Sequence, residues 1–414
     1  MRVVVVGGDG RAHALAYVLA RSADDVVVSG GNAGTPNAVA TPAEELDADL
    51  FVISPEAPLV DGLADRLRAQ GKRVYGPGAD GARLEGSKGW MKELVAKAGV
   101  PTARHGTFSD AGTALDFLRT MKPPFVVKTD GLAAGKGVLV TESLIEAEDD
   151  VKAKLAGASF GDAGRTVVIE EGMAGPELSV LAVCDGRRAV ALAPAQDFKR
   201  ALDGDRGPNT GGMGAYSPVP IAGDDLIGVV MDRFIEPTLA TLRAEGIDYR
   251  GTLYAGLMLT ADGLKLVEYN VRFGDPEAQV VLPRMSSDLV ELLATAADGA
   301  LSDREPTFVA DAAVCVVGAT SGYPEAPRTG AIVDALDSIA DLSDVRVFCA
   351  GVDRDSDGRL VTAGGRVLNI VGFGPTIAVA RTRAYEGVHR VGFAGMQFRN
   401  DIAASAAKEQ EPSL

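Results

Sequence analysis

Histidine and cysteine are scarce in this 414-residue chain, with three of each. His13, His105 and His389 stand far apart, and no G-x-S-x-G elbow accompanies them, so a nucleophilic triad has no partners here. Cys184, Cys315 and Cys349 sit in apolar stretches such as VLAVCDG and AAVCVVGA, without CxxC or Cys/His spacing. That excludes a zinc motif and suits buried, reduced thiols. Positive charge is also short: 41 Lys and Arg face 57 Asp and Glu, for a net charge of −16. A nucleic-acid surface or an anionic-membrane surface needs clustered cations, so both are excluded as partners. No stretch approaches the ~20 apolar residues of a membrane span. The valines before Gly7 and Gly8 are too few for a signal-peptide core, and the expected location is cytoplasmic.

Glycine is plentiful, at 50 residues, and the length exceeds what one hydrophobic core usually serves. MRVVVVGGDGRAHALAYVLA reads as a buried strand, a glycine turn and a helix, and similar βα units follow, the pattern of a small doubly wound domain over 1–88. GSKGWMKELVAKAGVPT is a helix bounded by Gly99 and Pro101. It leads into a second domain over 89–294, whose segment from about 104 to 173 is antiparallel in style. GTLYAGLMLTADGLKLVEYNVRF is a hairpin with its turn at Ala261-Asp262-Gly263. A third unit, 295–414, mixes strands such as VLNIVGF with a helix-like TIAVARTRAYEGVHRV and ends in a disordered, solvated tail from about 404.

Four stretches carry candidate chemistry. In GGDGRAHA, His13 occupies the third-glycine position of a dinucleotide fingerprint, and no carboxylate ends the second strand, which argues against a nicotinamide cofactor. A glycine turn opening a helix, with Gly8, Gly10 and Arg11, can still hold a phosphate, or be a mere tight turn. DGLAAGKG at 130–137 has the wrong spacing for a Walker A loop and runs into a strand. It fits either a flap covering a triphosphate with Lys136 and backbone N–H groups, or a flexible surface hairpin. In LKLVEYNVRFGDPE, alternation puts Glu268, Asn270 and Arg272 on one face, with Val267, Tyr269 and Val271 on the other. A carboxylate and an amide oxygen in line suit Mg²⁺, with Arg272 to neutralise a transferring phosphoryl group; a solvated sheet face is the bland alternative. AQDFKR and GPNTGGMGAYSP form a polar, glycine-dense stretch too long for a turn and able to wall an anionic substrate; disorder is the competing reading, opposed by Met213, Tyr216 and the prolines. No general base is evident.

Together the stretches GRAHAL, GNAGT, PEAPLVDG, LEGSK, VVKTDGLAAGKGV, VIEEG, QDFKR, GPNTGGMGAYSP, EYNVRFGDPE, GGRVLNI and RNDI closely resemble the phosphoribosylamine–glycine ligases of the ATP-grasp family, from Met1 to about Ala403. The resemblance implies an ATP-grasp fold of mixed α/β and α+β class: a doubly wound parallel-sheet domain, a small antiparallel lid and a C-terminal mixed domain. It implies an ADP-forming ligase that makes N1-(5-phosphoribosyl)glycinamide from 5-phosphoribosylamine and glycine through glycyl phosphate, in purine biosynthesis. The enzyme would use ATP with Mg²⁺ or Mn²⁺ and act as a monomer or weak homodimer. By the same resemblance Lys88, Lys128, Gly131, Gly135, Lys136 and Gly137 contact ATP phosphates, Glu170 and Glu171 the adenine, and Glu177 the ribose. Glu268 and Asn270 ligate the metal, while Arg272, Lys136 and Lys128 act in catalysis. The substrate walls would be Gly8, Gly10, Arg11, Glu56, Asp197, Lys199, Arg200, Asn209, Thr210, Gly211, Gly212, Met213, Gly214 and Asp275.

The chain departs from the family pattern in places. Phe198 stands for the usual histidine of QDHKR, Ala12 for a glutamate, Ser54 for glycine before Pro55, and Ala403 for glycine after RNDI. The segment between Pro36 and Leu50 is shorter by about a helix. No proton transfer is therefore assigned to position 198.

Overall fold

A computed structural model describes residues 1–132, 137–157, 165–223 and 225–409. Strands β1 (Arg2–Val6), β2 (Asp25–Ser29), β3 (Ala38–Val39), β4 (Leu50–Ile53) and β5 (Val74–Tyr75) form one parallel sheet in the order β3-β2-β1-β4-β5. Val3, Val4 and Val5 are fully buried, as a parallel strand covered on both faces requires. After β1 the chain turns through Gly7, held at φ +135°, into helix α1 (Gly10–Leu19). Asp9 caps that helix, its carboxylate accepting from the Ala12 N–H at 2.9 Å.

A helix over Lys88–Lys97, capped by Ser87, leads to a four-stranded antiparallel sheet. Its strands are β6 (His105–Phe108), β7 (Phe125–Thr129), β8 (Val138–Thr141) and β9 (Val167–Glu171), ordered β6-β9-β7-β8. With helices Ala111–Leu118 and Leu144–Leu155 this sheet encloses its own small core around Leu118, Val127, Val151 and Ile169, separate from the two main cores. It is a separately packed unit.

Next come β10 (Glu177–Asp185), β11 (Ala189–Ala191), the short β12 (Gln196–Asp197), β13 (Arg200–Leu202), β14 (Arg206–Asn209) and β15 (Gly214–Ser217), then β16 (Arg250–Thr260), β17 (Gly263–Asn270) and β18 (Ala312–Ala319). A central antiparallel sheet runs β11-β10-β16-β17, and the β16–β17 hairpin turns at Ala261 and Asp262 as expected. The C-terminal sheet runs β12-β15-β18 and on to strands Arg366–Gly374 and Val345–Cys349. Hydrogen bonding thus ignores the boundary expected at 295: β12 and β15 of the second unit are strands of the third unit's sheet. A second correction falls at the end of the chain. Residues 404–409, expected to be a disordered tail, form a helix, because Ala403, Ala406 and Ala407 bury their methyl groups in a main core. Among the described residues no helix is long and apolar enough to cross a membrane.

Candidate active site

A cleft of roughly 1000 Å³ opens between the lid sheet, the central sheet and the C-terminal unit. Its floor is β17, where strand alternation brings Glu268 and Asn270 to the cleft as expected. Val267 and Tyr269, expected on the opposite face, also line the cleft, and a bulge in the β16–β17 pairing leaves Val267 without a partner in the register. Arg272, beyond the strand end, donates from Nη2 to Asn270 Oδ1 and to Glu85 Oε1, both at 2.9 Å, and its Nε lies 3.4 Å from Glu56. Glu85 also accepts from the Val271 N–H at 2.9 Å, so one carboxylate fixes backbone and side chain at the strand end. Burial alone would raise the Glu268 carboxyl, but Lys199, Lys128, Lys88 and Arg272 outweigh it and hold it below the usual carboxylate range. Burial lowers the Lys88 ammonium, whose Nζ donates to the Gly131 carbonyl at 2.8 Å.

On the lid side, Lys128 of β7 and Glu170 of β9 meet at 2.9 Å. Glu170 also takes Lys92 at 2.9 Å, and Lys92 donates on to Thr102 Oγ1 at 2.7 Å. Burial would raise Glu170, and the two ammonium groups more than offset it, leaving it lowered; burial brings Lys92 down to about 8. The Glu170 side chain is therefore committed to these lysines rather than to a base. Glu171 accepts from the Arg104 N–H at 3.0 Å and lines the cleft. Gly137 lines it too, while Gly135 and Lys136 lie outside the described residues.

At the far end Lys199 pairs with Glu177. Burial pushes the neighbouring Asp197 carboxyl up to about 7 against the pull of Lys199, with Glu277 and Glu177 adding to the rise. The β13–β14 hairpin carries Arg200 and Asn209 to the cleft wall, and Thr210 donates from N and Oγ1 to the Lys199 carbonyl at 2.7 and 2.8 Å. Arg366 joins this wall to Asp275, donating to the Gly211 carbonyl at 2.5 Å and the Asp275 carbonyl at 2.6 Å, and Tyr323 accepts from the Gly211 N–H at 3.0 Å. Arg11 donates to Asp9 at 2.8 Å, to the Phe273 carbonyl at 2.9 Å and to Glu56 at 3.1 Å. Burial opposes ionisation of Glu56, yet Arg11 and Arg272 bring its carboxyl down to about 2.

The cleft thus gathers Arg11, Glu56, Asp197, Lys199, Arg200, Asn209, Thr210, Gly211 and Asp275 from the expected substrate walls. It does not gather five others. A Cβ on Gly10 would lie 2.2 Å from the Asn369 amide nitrogen, and one on Gly8 2.6 Å from the Gly30 carbonyl, so these glycines serve close packing. At the start of α1 the Ala12 N–H is taken by the protein's own Asp9. Met213 is buried, and a Cβ on Gly212 or Gly214 would meet Pro276 or the Cys315 carbonyl at 2.6 Å. Sequence reading missed Glu85, Lys92, Arg366 and the Tyr254–Glu277 pair, bonded at 2.6 Å. Lys92 carried a signal, since it follows Lys88 by four residues on the same helix face; Arg366 had none beyond its place in GGRVLNI.

Solved structures give the class first. The biotin carboxylase domain of Hydrogenobacter thermophilus 2-oxoglutarate carboxylase, crystallised with MgADP and bicarbonate, matches with a TM-score of 0.71 at 15% identity, over 96% of this chain and 91% of that one. The fold is ATP-grasp. Family profiles described as the phosphoribosylglycinamide synthetase N domain, ATP-grasp (A) domain and C domain match residues 1–85, 86–278 and 313–405. The Caulobacter vibrioides phosphoribosylamine–glycine ligase is 45% identical, with 99% of each chain covered. The Thermotoga maritima phosphoribosylamine–glycine ligase crystal structure matches at 36% identity and a TM-score of 0.87, over 97% of this chain and 100% of that one. This chain belongs to the phosphoribosylglycinamide synthetase family.

Proposed function

We propose that this chain joins glycine to 5-phosphoribosylamine with ATP, giving N1-(5-phosphoribosyl)glycinamide, ADP and phosphate through glycyl phosphate, in the cytoplasm and as a monomer or weak homodimer. One observation carries the reading: Arg11 and Glu56 of the first matched segment, Lys128, Glu268 and Arg272 of the second, and Tyr323 and Arg366 of the third all face one cleft.

A carboxylate is a poor electrophile, so amide formation needs one of its oxygens turned into a leaving group. Glycine attacks the γ-phosphorus, and the bond to ADP breaks. The phosphoribosylamine nitrogen then bonds to the glycyl carbonyl carbon while the C–O bond to phosphate breaks. Lys88, Lys128 and Arg272 neutralise charge on the transferring group, and positioning supplies most of the rest. Lys136 is assigned to the same task. Asp197, in the same wall as Lys199, is assigned to substrate. Glu171 and the backbone after it take the adenine, and Glu177 the ribose. Arg11, Lys199, Arg200 and Arg366 are the cations for the glycine carboxylate and the ribosyl phosphate.

Glu268, kept ionised by its cations, and the Asn270 amide oxygen are a fitting donor pair for Mg²⁺, which takes few protein ligands. When bound, the metal neutralises ATP phosphate oxygens, and Mn²⁺ suits the same donors. The test is reconstitution with ATP, Mg²⁺, glycine and freshly generated phosphoribosylamine, omitting one component at a time. Continued turnover, with ADP and the amide product accumulating, should require all four, and ADP formed at full rate without glycine would contradict the proposal.

A further inference from the structure

The β13–β14 hairpin carries several of the groups assigned above to substrate, yet it has almost nothing apolar to hold it. None of residues 199–209 belongs to a hydrophobic core, and Leu202 at its tip is 55% exposed. An isolated two-stranded hairpin is marginal in water. Its register is further broken by a shift between Arg200 and Leu202.

What meets it is the turn at 399–401, nearly two hundred residues later. Arg399 has a side chain only 1% exposed, and its fork grips Asp401 through Nε and Nη2, both at 2.7 Å. Its Nη1 donates to Asp205 at 2.7 Å and to the Arg200 carbonyl at 3.2 Å. The guanidinium also lies over the Phe198 ring, 5.0 Å from its centre, so the aromatic at this departing position gives the buried cation a face. Asn400 donates from its backbone to Asp203 Oδ1 at 2.7 Å and from Nδ2 to Oδ2 at 3.0 Å, and the Gly204 N–H returns a bond to Asp401 at 2.8 Å. Every one of these bonds joins the chain's C-terminal turn to the hairpin or braces the groups that do.

We propose that Arg399, Asn400 and Asp401 are positioning residues that clamp the β13–β14 hairpin, and so set Lys199, Arg200, Asn209 and Thr210 against the substrates. The clamp rests on the function proposed above for the consequence it has, but its mechanical half stands alone. It acts on the hairpin wall, whose Lys199 pairs with Glu177, so its loss should weaken glycine or phosphoribosylamine use more than ATP use.

Arg399→Ala leaves three acceptors without their donor and can fail to fold, so Asp203→Ala, at the hairpin tip, is the primary variant. Hydrogen exchange of the substrate-free full chain should quicken about tenfold in 199–211 alone. The KM for glycine or phosphoribosylamine should rise about tenfold, with the KM for ATP changed less than about twofold, and Asp203→Asn, which keeps an acceptor, should recover most of the loss. Unchanged exchange overturns the clamp. Faster exchange with both KM values intact, or an equal rise in the KM for ATP, overturns the positioning role. A wild-type chain that makes no product defeats the function reading instead, and leaves the exchange result to decide the clamp.

Discussion

Arg272 satisfies an amide oxygen and two carboxylates at once, at 2.9 Å from Asn270 and Glu85 and 3.4 Å from Glu56. A planar fork can do this and a lysine cannot. Arg272→Lys should therefore lower turnover well over tenfold, on the order of 2 kcal/mol in barrier height, with the KM for ATP nearly unchanged. Steady-state kinetics on the purified variant decide it, and turnover within about twofold of wild type would remove Arg272 from the phosphoryl-transfer site. At this scale the sequence was most readable where a period exists: alternation along β17 was enough to bring Glu268 and Asn270 together, while Arg272, past the strand end, is held there by Glu85. It was blind where a contact joins distant segments without a period. The resemblance gives Glu170 to a nucleotide base, and no local pattern shows that Lys92, 78 residues earlier, and Lys128 already hold it.

The lid is the element that the sequence outlined best, because a glycine loop between two β-rich runs is a local signal. Strands β7 and β8 pair antiparallel as expected, and the core around Leu118, Val127 and Ile169 belongs to the lid alone. A unit with its own core can swing as a body without exposing either main core. Protease cleavage within 104–173 should accordingly slow when ATP is added, and a rate that ATP leaves unchanged would remove the argument for lid closure. Strand β15 was the opposite case. Its residues, Gly214–Ser217, carry no alternation because both faces are buried, and the strand it pairs with, β18, lies about a hundred residues on. GPNTGGMGAYSP therefore reads as a loop, and the reassignment of β12 and β15 to the C-terminal sheet could not be foreseen.

For the whole molecule, the paradox to resolve is an acidic chain, at −16, that handles two phosphorylated compounds. The answer is local: Lys88, Lys128, Lys199, Arg11, Arg272 and Arg366, drawn from three sequence regions, converge on one cleft that also holds carboxylates such as Glu56, Glu85, Glu170 and Glu268. Several carboxylates in that cleft are bound to these cations, so the site is pre-formed with its charges paired. The central claim is that glycine is phosphorylated before the amine attacks. The measurement that reaches it most directly uses glycine labelled with ¹⁸O in its carboxyl group. Each turnover should transfer one labelled oxygen to the released phosphate, read by mass spectrometry, and label that stays wholly in the amide product and unreacted glycine would contradict the account.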